Sequence, residues 1–180
     1  MQAEKALVVI AVASIVVIGF AVGFTFLTFD EGSIEEDVDL KSRGIQLPDW
    51  NLMLSNESII SLHSLRSRFV VIDLMATWCG ACETQNENFK TLYNNMSKSI
   101  YLISLTVDKD ETAAMMAAYM EDKNLPWPHG LDSQSVFTSY FNVQYIPSIV
   151  IIDKEGYVRW YHVGLWSEND MAETLALLMG

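Results

Sequence analysis

The chain contains two cysteines, Cys79 and Cys82, which lie close together in the stretch 78-WCGAC-82. A dithiol at this spacing can form and break a disulfide, and can therefore exchange electrons with other thiols. A purely structural disulfide here would close too short a loop to add much stability. A structural zinc site usually has four ligands, and the three histidines show no pairing at ligand spacing. The pattern favours a redox pair over a metal site, with two unreactive thiols as the remaining alternative.

The cysteines follow an apolar run, 69-FVVIDLM-75, which is typical of a strand buried on both faces of a sheet. The first turn of a helix offers unpaired N–H groups and a partial positive charge, which favour a thiolate. We therefore predict that Cys79, where the next helix begins, is the nucleophile and that Cys82, one turn further on, is the resolving thiol. That helix is predicted from apolar residues at helical spacing, namely Phe89, Leu92, Tyr93 and Met96.

Asp73 lies inside the apolar run, between Ile72 and Leu74. A buried carboxylate is costly unless it is paired or protonated, and burial raises its pKa. A carboxyl group of this kind can exchange protons near neutral pH. We predict that Asp73 is the base that deprotonates Cys82 through a water molecule; the alternative is an aspartate at a strand edge in solvent.

The rest of the chain alternates predicted strands and helices. A second interior strand is predicted at 100–107, and Asp110 is predicted to cap a helix over 112–123. The proline-rich segment 125–130 ends that helix, and its His129 is predicted to face solvent. The remaining predicted elements are a hairpin or strand and turn within 50–65, a short helix at 136–141, a hairpin of 149–152 and 157–163 around 153-DKEG-156, and a last helix that starts at 167-SEND-170. This order predicts an α/β sandwich with a mixed sheet.

Residues 6–29 carry no charged side chain. As a helix this segment would be about 36 Å long, enough to cross a hydrocarbon core of about 30 Å with some tilt. It is longer than the apolar core of a cleaved signal peptide, and 25-TFLTFD-30 lacks a small-residue cleavage pattern. We therefore predict an uncleaved membrane anchor at 1–29. Lys5 before the span and the acidic residues after it predict an extracytoplasmic C-terminal part.

An acidic tether is predicted at 30–46, followed by one folded domain at 47–180. The net charge is −12, and residues 1–29 leave it unchanged because Glu4 and Lys5 cancel. A surface this acidic repels nucleic acid and anionic lipid. We therefore expect no nucleic-acid partner, and membrane contact only through residues 6–29.

Two stretches, 70-VVIDLMATWCGAC-82 and 145-YIPSIVIIDKEG-156, resemble the thioredoxin-fold proteins in their buried aspartate, W-C-x-x-C motif and cis-proline segment. The resemblance covers roughly residues 47–180, and the layout is most similar to the membrane-anchored thiol-disulfide oxidoreductases of the TlpA and ResA group. It implies a thioredoxin-like three-layer sandwich of the α/β class with a mixed central sheet, preceded by one N-terminal transmembrane helix.

The resemblance also implies how a substrate is held. In this fold the cis-proline, here Pro147, packs beside the cysteines. The backbone of the residue before it, here Ile146, would pair with an extended substrate strand. Trp78 would supply an apolar platform, although ordinary packing is an alternative reading for its side chain.

The chain departs from the family pattern around the cysteines. Ala81 replaces the proline that often precedes the second cysteine, and Gln85 replaces a glutamate of the ResA group. No lysine stands near Ser104 on the neighbouring strand, where thioredoxins pair their aspartate, so Asp73 is expected to be more perturbed than usual. Glu83 adds a negative charge, which should oppose thiolate formation on Cys79.

We therefore expect a protein thiol-disulfide oxidoreductase that exchanges disulfides with partner proteins, acting as a reductase. It needs no bound cofactor or metal, and a separate protein donates or accepts the electrons. One alternative is a non-enzymatic tethered binding module or chaperone that uses the cis-proline groove. A peroxidase is disfavoured, because peroxiredoxins place threonine three residues before the reactive cysteine, whereas Thr77 is two before Cys79.

Overall fold

The computed structural model describes residues 44–180 and the backbone of Val38–Asp39. The predicted membrane span at 6–29 and most of the predicted tether at 30–46 lie outside the described residues. Within the described part of the chain, no helix is both long enough and apolar enough to cross a membrane. Val38–Asp39 and Gln46, which belong to the predicted tether, pair with the segment 157–161.

In the described part of the chain, eight strands form one sheet: β1 (Val38–Asp39), β2 (Asn51–Leu54), β3 (Ile59–Ser61), β4 (Phe69–Met75), β5 (Ile100–Thr106), β6 (His129–Leu131), β7 (Ser148–Ile152) and β8 (Val158–Val163). Their spatial order is β1-β8-β7-β4-β5-β6-β2-β3. The pairs β4–β5 and β5–β6 are parallel, whereas the other neighbours are antiparallel. The mixed sheet predicted from the sequence is confirmed.

The helices of the described part are a 3-10 helix at Leu62–Leu65 and four α-helices: α1 (Gly80–Met96), α2 (Ala113–Asp122), α3 (Val136–Tyr140) and α4 (Glu168–Met179). Each of the three long helices, α1, α2 and α4, follows a residue whose side chain accepts a backbone N–H of the first turn. These residues are Cys79, Thr112 and Ser167. The capping start predicted at Ser167 is confirmed. The prediction that Asp110 caps α2 is wrong, because Thr112 accepts that bond while the Asp110 N–H donates to Asp108.

Strand β4 lies in the middle of the sheet, and all seven of its residues are buried. Its alternate side chains face two separate clusters. Val71 and Met75 pack with residues of α1, α2 and α4, whereas Ile72 and Leu74 pack on the other side with Phe137 of α3. A strand buried on both faces needs a layer on each side. The predicted three-layer sandwich is therefore confirmed.

The segment 125–130 leads into strand β6 instead of staying at the surface. His129 is fully buried there and lies in register with Ser104 of β5, so the prediction that His129 faces solvent is wrong. A strand of three residues is too short for side-chain alternation to reveal it. Its burial arises from pairing with β5 and from the helix α2 that packs against it.

Gly130 of β6 lies against β2 so closely that an added Cβ would come within 2.4 Å of the Met53 carbonyl oxygen. The obstructing atom belongs to the backbone and cannot rotate away. We expect Gly130→Ala to lower the free energy of unfolding by about 1–3 kcal/mol, as at other overpacked sites, measured by urea unfolding of the full chain. Gly80→Ala is the matched control, since a Cβ at Gly80 meets nothing within 4 Å. An equal loss in both variants would contradict the steric explanation.

Candidate active site

The two cysteines form a disulfide at the start of α1, with their Cα atoms 5.2 Å apart. Cys79 is the N-cap residue, and its sulfur accepts the backbone N–H of Cys82 at 3.1 Å. Cys79 is 7% exposed, whereas Cys82 is 1% exposed. An incoming thiol can therefore reach the Cys79 sulfur more readily than the Cys82 sulfur. This arrangement suits a nucleophile at Cys79 and a resolving thiol at Cys82.

The loop before β7 lies directly against the disulfide. The Ile146–Pro147 peptide bond is cis, in agreement with what the resemblance implies. The Ile146 carbonyl oxygen is 3.8 Å from the Cys79 sulfur. The loop is held from two sides, since the Gly164 N–H donates to the Pro147 carbonyl and the Ser148 hydroxyl donates to the Tyr145 carbonyl. The structure thus brings the predicted residues Cys79, Ile146 and Pro147 together.

Trp78 stands at the surface next to Cys79, with 69% of its area exposed. Its indole N–H donates to an Asp108 carboxylate oxygen at 2.7 Å, which fixes the ring. The pKa of Asp108 lies below its usual value, because the Asp110 N–H and then the Trp78 indole N–H bond to the ionised carboxylate. Because Trp78 is so exposed, its ring is better placed to form an apolar platform for a substrate than to pack in the core.

A buried glutamate supports the residues just before the cysteines. Glu111 is 5% exposed, and its carboxylate accepts bonds from both the backbone N–H and the hydroxyl of Thr77. These bonds fix the turn that leads from β4 to Cys79. Sequence reasoning missed Glu111, because it lies 34 residues from Thr77 and no local pattern joins the two.

Gln85, which replaces the glutamate of the ResA group, is fully buried and binds the backbone of one residue on the far side of the site. Its side chain accepts the Trp166 N–H at 2.8 Å and donates to the Trp166 carbonyl at 3.1 Å. The Asn88 side chain also donates to that carbonyl, at 3.0 Å. Gln85 therefore ties α1 to the loop before α4 and brings no charge to the site.

Asp73 lies in β4 and is 1% exposed, and β5 and β7 flank it, so the alternative of a solvent-exposed strand edge is excluded. It faces the same side of the sheet as Val71 and Met75, which pack in the cluster that contains Cys82. One carboxylate oxygen, Oδ2, accepts the Ser104 hydroxyl at 2.7 Å. Burial raises the pKa of Asp73 to about 7, although the Ser104 hydrogen bond opposes the rise.

Glu83, which was predicted to oppose a thiolate on Cys79, is paired in the structure. Its carboxylate accepts a bond from the Lys123 ammonium group at 2.7 Å. The ion pair offsets part of the negative charge beside Cys79. Among residues 44–180, no cluster of three or more histidine, cysteine or acidic side chains is placed to hold a metal ion.

The Redoxin family model matches residues 42–177. The chain is 23% identical over 157 residues to the thioredoxin-like protein YneN of Bacillus subtilis, covering 87% of this chain and 91% of that protein. It is 26% identical over 139 residues to a thiol-disulfide oxidoreductase ResA of Bacillus cereus, covering 77% of each. The crystal structure of StoA from Bacillus subtilis matches with a TM-score of 0.61 at 16% identity, covering 71% of this chain and 96% of that one.

Together the family match, the thioredoxin-like relative and the structural match confirm the predicted thioredoxin-like fold. The family match spans the strand, the cysteine pair and the cis-proline loop that form the site. The chain belongs to the Redoxin family and is a protein thiol-disulfide oxidoreductase with a thioredoxin-like fold.

Proposed function

We propose that this protein is a membrane-tethered, extracytoplasmic oxidoreductase that reduces disulfides in partner proteins through Cys79 and Cys82. The observation that carries the catalytic part is the asymmetry of the pair. The more accessible sulfur caps α1 beside a cis-proline loop, while the other is buried behind it. Gly80 and Ala81 leave no histidine between the cysteines, which supports the reducing direction over a strongly oxidising one.

In the reducing direction the cycle begins with Cys79 as a thiolate and Cys82 as a thiol. The Cys79 sulfur attacks one sulfur of the partner's disulfide, which forms a mixed disulfide and releases the partner's other cysteine as a thiolate. Cys82 then loses its proton and attacks Cys79, which closes the Cys79–Cys82 disulfide and releases the second partner thiolate. Two electrons pass to the partner, and its thiolates take up protons. A separate protein dithiol donates two electrons by the reverse exchange and reopens the disulfide.

Asp73 is the proposed acceptor of the Cys82 proton. Cys82 is 1% exposed, so an internal base is needed close to it. An aspartate of ordinary pKa is a weak base at neutral pH, whereas one with a pKa of about 7 exchanges protons readily. Gln85 has its side-chain amide committed to Trp166 and carries no charge, which leaves this role to Asp73.

The partner's cysteine is proposed to arrive on an extended segment. The Ile146 carbonyl points at the Cys79 sulfur, where a substrate strand could pair with the backbone before Pro147. The exposed rings of Trp78 and Tyr145, 69% and 70% accessible, supply apolar contacts on this face. Both features support protein segments as substrates.

The tethered location rests on the chain before the folded domain. The uncharged segment 6–29 is long enough to span a bilayer, and Lys5 before it favours a cytoplasmic side for the residues that precede the span. An anchor of this kind would hold the Cys79–Cys82 pair near the membrane surface, within reach of a membrane-bound electron donor.

The division of roles between the cysteines can be tested by trapping. Cys82→Ser should accumulate a mixed disulfide with a disulfide-bonded peptide, because the resolving thiol is gone while Cys79 still attacks. Cys79→Ser should give less than about a tenth of that adduct, since the remaining thiol is buried. Mass spectrometry after acid quenching measures both. Partner binding and biological activity that persist in the double serine variant would instead support the binding module or chaperone.

The direction of electron flow can be tested through the reduction potential of the Cys79–Cys82 pair, measured by equilibration of the full chain with thiol buffers. We expect a value near that of thioredoxin, about −270 mV, which requires a strong electron donor. A value near that of strong oxidants, about −120 mV, would make the protein a disulfide donor instead.

The buried state of Asp73 predicts a pH-dependent stability. Because its folded pKa is raised from 3.8 to about 7, its contribution is fully present below about pH 4 and is lost as the pH rises through about 7. The stability of the wild type relative to Asp73→Asn should therefore fall by on the order of 4 kcal/mol across this range and then stay level. Urea unfolding of the oxidised chain at a series of pH values measures this. The exposed Asp122 supplies the control variant, Asp122→Asn, and a flat Asp73 difference would contradict the raised pKa.

A further inference from the structure

A line of buried hydrogen-bond donors ends on one oxygen of Asp73. The Trp127 indole N–H donates to the Ser104 hydroxyl oxygen at 2.9 Å. The Ser104 hydroxyl in turn donates to Asp73 Oδ2 at 2.7 Å. The three side chains are between 0 and 1% exposed, so water does not compete freely for these bonds.

The chemistry of the groups fixes the direction of these bonds. An indole N–H can only donate, so it occupies a lone pair of the Ser104 oxygen. The hydroxyl hydrogen of Ser104 is then left to point at Asp73. The other carboxylate oxygen, Oδ1, has no hydrogen-bond partner among residues 44–180. A proton on Oδ2 would meet the Ser104 hydrogen, whereas a proton on Oδ1 meets no competing donor.

We infer that Ser104 and Trp127 are positioning residues, which hold the exchangeable proton of Asp73 on Oδ1 and stabilise the ionised carboxylate through Oδ2. The inference rests on the proposed role of Asp73 as proton acceptor. In this inference a neutral pair, Ser104 and Trp127, stabilises the buried negative charge of the Asp73 carboxylate. Among residues 44–180, the Ser104 hydroxyl is the one hydrogen-bond donor to the Asp73 side chain.

The other titratable groups around Asp73 do not replace this support. On β6, His129 donates through Nδ1 to the Trp127 carbonyl, and burial lowers the pKa of His129 to about 4, so it is neutral when Asp73 titrates. On α2, burial raises the pKa of Tyr119 above its usual value, so its hydroxyl stays protonated. On α1, Cys82 is held in the disulfide. The register partner on β7 is the apolar Ile149.

The test is a titration of Asp73 in the oxidised full-length chain, followed by carboxyl ¹³C NMR, with Asp73→Asn used to assign the resonance. Ser104→Ala removes the donor, and the midpoint should rise by about one to two pH units, as expected for one hydrogen bond to a charged group. Trp127→Phe leaves the hydroxyl but frees it to rotate, so the rise should be smaller, below about one unit. Ser104→Thr keeps a hydroxyl, so its midpoint should stay within a few tenths of a pH unit of the wild-type midpoint.

The matched control is Thr138→Val, which removes a hydroxyl on α3 that donates to a different carboxylate, that of Asp132, at 2.7 Å. It should leave the Asp73 midpoint unchanged. An unchanged midpoint in Ser104→Ala, or an equal rise in Ser104→Thr, would overturn the inference. The titration involves no substrate, so its failure is distinct from a failure of disulfide exchange in the trapping experiment.

Discussion

The site depends on one junction, where the buried strand β4 ends and α1 begins. The Cys79 sulfur is itself the cap of that helix, since it accepts the Cys82 N–H. In the reduced protein the same contact would be made to a thiolate, and hydrogen bonds to ionised acceptors are the stronger ones. The unpaired N–H groups and partial positive charge of the helix start act in the same direction. The packing that places α1 against the sheet therefore also favours the reactive form of Cys79.

Side chains from distant parts of the chain hold the surrounding loops to this junction. Glu111 and Asp108 fix the two residues that precede Cys79. Gln85 and Asn88, which both lie on α1, fix the backbone of Trp166 on the other side of the site. Each contact uses a polar side chain against a backbone or ring group, which specifies geometry more sharply than apolar packing does. The loops around the Cys79 sulfur are thus held in place by contacts from several separate elements.

The polar groups beneath the cysteines are not arranged for stability alone. A buried carboxyl with a raised pKa lowers the stability of the folded chain at neutral pH. Asn86 and His129 also each have a buried polar atom that lacks a partner within the described residues. Perturbed buried groups of this kind concentrate at functional sites. The presence of a destabilising carboxyl group, Asp73, in the middle of the sheet is consistent with a role in proton transfer from Cys82.

The sequence by itself determined the local features of this protein. Helical spacing, the apolar run of β4 and the C-x-x-C pair predicted α1, the central strand and the redox disulfide, because each signal lies within one element. The burial of Asp73 followed from its apolar neighbours. Tertiary structure alone decided the pairing of β6 with β5, which buries His129, and the contacts of Glu111 and Gln85. Those contacts join residues far apart in the chain, and hydrogen-bond partners of that kind leave no periodic trace in a sequence.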